Sequence, residues 1–169
     1  MSQKVIYTSV KNAIKSINDV KHVGMWNNDF EKEREREVYK LPAVFIELLP
    51  QNFRDMAQTG CQDYDMIVRI HLGFEEYKDE PETIYDLKQI IHKKLQHLRC
   101  LDDTSELAYP VSKLIRIDER QIFDFDNVIE FEVDYLCKVR DLSTDTRVTE
   151  DLAAKTPVLT TEIVTEITT

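Results

Sequence analysis

Strict alternation over residues 64 to 74 is the feature that most limits the fold of this chain. Tyr64, Met66, Val68, Ile70, Leu72 and Phe74 fall on one side of an extended backbone, with Asp65, Arg69 and His71 on the other. A period of two is that of a half-buried strand. The same pattern returns near the end of the ordered sequence, where Ile129, Phe131, Val133, Tyr135, Cys137 and Val139 alternate with Glu130, Glu132, Asp134, Leu136, Lys138 and Arg140. In each strand one face is expected in the core and the other mostly in water, so Glu130, Glu132 and Asp134 read as a solvated row of like charges. A third apolar run, AVFIELL, lies between Pro42 and Pro50 and reads as a buried strand, since proline at either end cannot continue a ladder.

Shorter extended pieces surround these. Val20 to Trp26 reads as a short segment broken by Gly24, and LIRI at 114 to 117 looks extended, with a bend at Asp126 and Asn127. The polar stretch QNFRDMAQTGCQD, residues 51 to 63, is longer than a tight hairpin needs and reads as a working loop.

Two segments switch to helical spacing. Val5, Ile6, Val10, Ala13, Ile14 and Ile17 share one side of a first helix, opposite Lys4, Lys11, Asn12, Lys15 and Asn18. A second helix starts near Asp79 and Pro81, ends in Lys93, Lys94 and His97, and aligns Ile84, Leu87, Ile91, Leu95 and Leu98. Each helix has one apolar face. Two such helices covering one face of a mainly antiparallel sheet give an α+β fold. The chain of 169 residues suits a single domain, placed at residues 1–142. Residues 143–169 hold nine threonines and no aromatic side chain, too little apolar surface to order alone, so a flexible tail is expected. VLTTEIVTEI within it has the β-branched content of a strand that another edge would recruit.

Charge and cysteine usage exclude several classes. A formal charge of −10 is wrong for a general nucleic-acid binder, which neutralises phosphates with Lys and Arg. Cys61, Cys100 and Cys137 form no CxxC pair, so neither a disulfide framework nor a zinc site is expected, and a reducing compartment with cytoplasmic synthesis fits. MSQKVIYTSVKN has no apolar signal core, and no stretch approaches the ~18 apolar residues of a membrane span.

Catalytic signals are weak. His92 and His97 are five residues apart on one helix, a turn of roughly 140°, so they do not chelate together. His71 reads as a surface or interface residue, and His22 has no evident partner. Asp118, Asp124 and Asp126 suggest a cation site only faintly, because Asp and Asn also favour bends. Cys137 alternates into the core as an inert thiol. GxSxG, P-loop, HExxH and dinucleotide motifs are absent. The expectation is no catalysis, no cofactor and no bound metal.

The order of a first helix, a Trp-containing segment, LPAVFIEL, a polar connection into DMIVRIHLGF, a second helix and a last pair ending in DNVIEFEVDYLC resembles the tail terminator, or tail completion, proteins of long-tailed bacteriophages and prophages. It covers about residues 4 to 141. The resemblance implies a structural virion subunit that forms a ring, commonly a hexamer, on the tail tube. It also implies contact with the tube protein and the head connector, and DNA passing through the lumen unbound. Assembly would occur in the host cytoplasm, away from membranes. The Thr-rich tail departs from that pattern.

Within this frame the alternating run at 31 to 37 becomes an interface candidate. If extended, Glu31, Glu33, Glu35 and Glu37 face one way and Lys32, Arg34 and Arg36 the other, a strip suited to head-to-tail contacts between copies. The plainer reading is a charged edge that resists aggregation. Phe53, Arg54 and Met56 in the 51 to 63 connection complete the expected interface. Two rival functions stand beside the terminator: a head-closure or connector ring subunit, and a small metal-dependent hydrolase using Asp118, Asp124 and Asp126.

Overall fold

The structure, a computed structural model, describes residues 2–27, 30, 39–56, 61–75, 79–100, 112–125 and 128–141. Its elements run α1 (Ser2–Lys15), β1 (His22–Met25), β2 (Ala43–Met56), β3 (Cys61–Glu75), α2 (Pro81–Leu95), β4 (Ile115–Phe125) and β5 (Val128–Asp141). The five strands form one sheet in the order β1-β2-β3-β5-β4. Only the β1–β2 pair is parallel; the other three are antiparallel. This is the α+β arrangement that the two periodicities require.

Both helices lie on one face. Ile6, Val10, Ile14 and Ile17 from the α1 region and Ile84, Leu87, Ile91 and Leu95 from α2 meet the alternating residues Met66 to Phe74 of β3 and Phe131 to Val139 of β5 in one core. Burial of these side chains, worth about 1.5–3 kcal/mol each for the larger ones, is what holds the helices down. Pro81 opens α2, where its missing N–H costs nothing, and the helix stops as the Gln96 N–H returns to the His92 carbonyl. His97 then takes a left-handed φ of 64°. Leu114 locks the chain after the helix to the start of β4: the His97 N–H donates to its carbonyl, and its own N–H donates to the Leu98 carbonyl.

Several expectations need correction. The 51 to 63 stretch is largely strand: β2 and β3 stay paired from Ala43↔Gly73 out to Met56↔Cys61. Pro50 does not end β2. It is tolerated because β1 pairs only with Ala43 to Ile46, so Pro50 has a ladder partner on one side alone, as edge positions allow. A register shift between Gln51 and Arg54 absorbs an irregularity at Asn52, whose φ of 56° suits asparagine, and its side-chain amide donates to Asp65. Gly24 does not break β1; it pairs with Phe45. The extended segment at 114 to 117 proves to be the start of an eleven-residue strand, β4. The bend expected at Asp126 and Asn127, the tail at 143–169 and the run at 31 to 37 lie outside the described residues. No described helix is long and apolar enough to cross a membrane.

Candidate functional site

The face of the sheet away from the helices carries a buried ionic cluster. It is built by register: Glu47 of β2 is opposite Arg69 of β3, which is opposite Asp134 of β5, and one step along that face His71 is opposite Glu132, which is opposite Arg120 of β4. Arg69 grips Asp134 with both arms, Nε at 2.8 Å and Nη2 at 3.1 Å, and stands 3.6 Å from Glu132 and 3.8 Å from Glu47. The guanidinium is held above its ordinary pKa first by the Asp134 hydrogen bonds, against the cost of burial. Arg120 pairs with the Glu132 Oε2.

His71 lies at the centre and is only 2% exposed. Its Nδ1 is 2.7 Å from Glu130 Oε1 and 3.6 Å from Glu132 Oε1, while Nε2 is 3.2 Å from Glu47 Oε2. A neutral imidazole has one N–H to give, yet both ring nitrogens face carboxylate oxygens, so one contact calls for a further proton or a cation. The carboxylates themselves are deeply placed: Glu130, Glu132 and Asp134 are 4%, 8% and 7% exposed. Among the described residues no buried side-chain N or O atom lacks a hydrogen-bond partner.

Aromatic rings close one end of this face. Trp26, just past β1, stacks on the His71 ring at 3.8 Å and 10°. Phe30, Ala43, Phe45 and Val128 form a second small core with Trp26, Tyr39 and Leu41. Gly73 makes room for it: a Cβ there would collide with the Phe30 ring. The rings shield the cluster from water and hold the imidazole plane.

Across the sheet, α2 and β4 frame a groove of ≈ 370 Å³ lined by Lys88, His92, Arg116, Glu119 and Tyr135 among others. His92 Nδ1 is 3.3 Å from the Tyr135 hydroxyl, and its pKa is lowered first by burial and then by Arg116. Burial pushes the Tyr135 hydroxyl up as well. Lys88 bridges to Glu119 and lies over the Phe131 ring.

Two readings from the sequence reverse here. Glu130, Glu132 and Asp134 are not a solvated row, and His71 is not a surface residue; cross-strand arginines and the Trp26 cap bury all four. The expectation for Cys137 holds: it and Cys100 are buried free thiols, pushed up to about 12 and about 11 by desolvation, so they stay protonated and poorly nucleophilic.

The other predicted site residues scatter. Phe53 and Arg54 sit on the outer half of β2, both exposed, with the Phe53 ring 5.0 Å from Tyr64. They are strand residues, not loop residues. Met56 ends β2, paired with Cys61. Arg54 also borders a groove of ≈ 410 Å³ with Asp63, Asp65, Lys138 and Arg140. Glu31, Lys32, Glu33, Arg34, Glu35 and Arg36 lie outside the described residues. Of the aspartates proposed for hydrolysis, Asp118 is exposed on β4, its carboxylate accepting from the Glu119 N–H, and Asp126 lies outside the described residues. The residues the sequence reading missed had a signal: Glu47, Arg69, His71, Glu132 and Asp134 are charges of both signs that become neighbours once the register is known. No family model and no curated protein matches this chain.

Proposed function

We propose that this chain is a structural subunit that closes into a ring, acting as the terminator of a phage tail tube and joining it to the head connector. The observation that carries this reading is that both edges of the sheet leave large apolar side chains in water, as do Phe53 of β2 and Tyr85 and Ile90 of α2. Met25 on β1 is 61% exposed, and on the far edge of the sheet Ile115 and Ile117 of β4 are 50% and 49% exposed. These are opposite edges of one sheet. A surface that differs from its complement produces head-to-tail contacts, and such contacts close into rings when the rotation permits. Among the described strands, β1 pairs only with β2 and β4 only with β5, so neither outer edge has a strand partner there. The acidic balance suits a lumen through which DNA must slide without sticking. The resemblance to tail terminators over residues 4 to 141, drawn from the sequence's own order of elements, is the further support for this reading.

Light scattering and negative-stain images of the purified chain test the ring. Closed particles, commonly hexameric, are expected, and a monomer at high concentration would remove the proposal. Capping of purified tail tubes separates the terminator from a head-closure ring.

A further inference from the structure

We propose that His71, Glu130 and Glu132 form a binding site for a divalent first-row transition metal ion such as Zn²⁺. The donor set is one imidazole nitrogen and two carboxylate oxygens, all three residues buried, with the ligand atoms within 4.8 Å of one another. Ligands on one ion stand at most about 4.2 Å apart at bond lengths of about 2.1 Å, so the cluster needs only a small contraction.

Three further features favour a metal over a purely ionic knot. The first is charge. Glu47, Glu130, Glu132 and Asp134 supply four carboxylates, and among the described residues Arg69 and Arg120 oppose them, so one dication makes this set neutral. Buried charge that is unbalanced is costly, and metal coordination is one of the ways proteins avoid it.

The second is orientation. Glu47 Oε2 lies 3.2 Å from His71 Nε2, placed to accept that proton and leave the Nδ1 lone pair facing Glu130 and Glu132. A carboxylate behind an imidazole is the usual outer support of a metal-bound histidine, and the Trp26 stack fixes the ring plane. The third is division of labour on Glu132: Oε1 faces His71, whereas Oε2 is held by Arg120 and faces Arg69. Metal and arginines therefore use different oxygens. Asp118, opposite Asp134 in register, is exposed and accepts from the Glu119 N–H.

The site is argued from the monomer and does not depend on ring formation. Its test uses the full chain, stripped with a chelator, dialysed and titrated with Zn²⁺ by calorimetry. One equivalent is expected, with at least tenfold weaker binding in His71→Gln and Glu130→Gln. Glu47→Gln, which leaves the ligands intact, should cost about tenfold as loss of outer support. Long-range ¹H–¹⁵N spectra of the unmodified protein, which has four histidines, give an answer even if a variant unfolds. One imidazole, the one stacked on Trp26, should shift at its Nδ1. Absorption of the Co²⁺ form reports the ligand type. A thiolate charge-transfer band, an unshifted His71, or affinity unchanged in both ligand variants would each overturn the site in favour of a protonated His71 or of cysteine binding.

Discussion

The two faces of one sheet are stabilised by different physics. On the helix side, Met66, Val68, Ile70 and Leu72 meet α1 and α2 through apolar contact that has no preferred direction. On the other side Arg69 and His71, one residue out of phase on the same strand, meet partners through hydrogen bonds whose angles and charges must match. The first arrangement tolerates repacking; the second fails when a single member is lost. A strand can therefore carry the core of a fold on one side and a site needing exact partners on the other.

Truncation on the helix side should have the largest effect. Ile70→Ala leaves a cavity at a fully buried position and is expected to cost about 3–4 kcal/mol, read as a fall in the urea midpoint with the slope unchanged. Arg69→Ala on the open face should cost about 2 kcal/mol, less than a fully buried pair because the guanidinium retains some solvent contact. The comparison sharpens with Arg69→Met combined with Asp134→Leu. That double change should recover most of the loss, because no buried charge is then left without its partner; equal damage in single and double variants would show that the two faces do not differ as argued.

Gly73→Ala probes where the faces meet the aromatic cap. Its Cβ would intrude on the Phe30 ring, so about 1–3 kcal/mol is expected, with a change in the near-ultraviolet signal of Trp26. Acid provides the smallest effect. The folded state lowers the His92 pKa, so the unfolded chain binds the proton more readily; this contribution is whole above pH 6.5 and is lost as pH falls from there through the lowered value. His92→Gln should flatten the decline in stability between pH 7.5 and 5.5, measured by urea unfolding at each pH.

Cross-strand partnership explains where reading the sequence failed. Alternation in residues 64 to 74 and 129 to 139 places the apolar members correctly, and every one of Ile84, Leu87, Ile91 and Leu95 is buried as the helical spacing requires. The polar members carry no such guarantee. Glu132 is 61 residues beyond His71 in sequence and directly opposite it in the sheet, a relation that only register creates. Pro50 misled for a related reason: whether proline ends a strand depends on whether a neighbour needs its missing N–H, and β1 is too short to reach it.

What the sequence determined by itself was the set of elements and which side of each is apolar, because hydrophobic periodicity is a local property fixed by backbone geometry. The tertiary structure alone decided that three carboxylates on the supposedly wet face are buried. Burying Glu130, Glu132 and Asp134 becomes acceptable only when Arg69, Arg120 and His71 arrive from other strands to meet them, and electrostatic compensation of that kind belongs to the assembled sheet, not to any one segment of the chain.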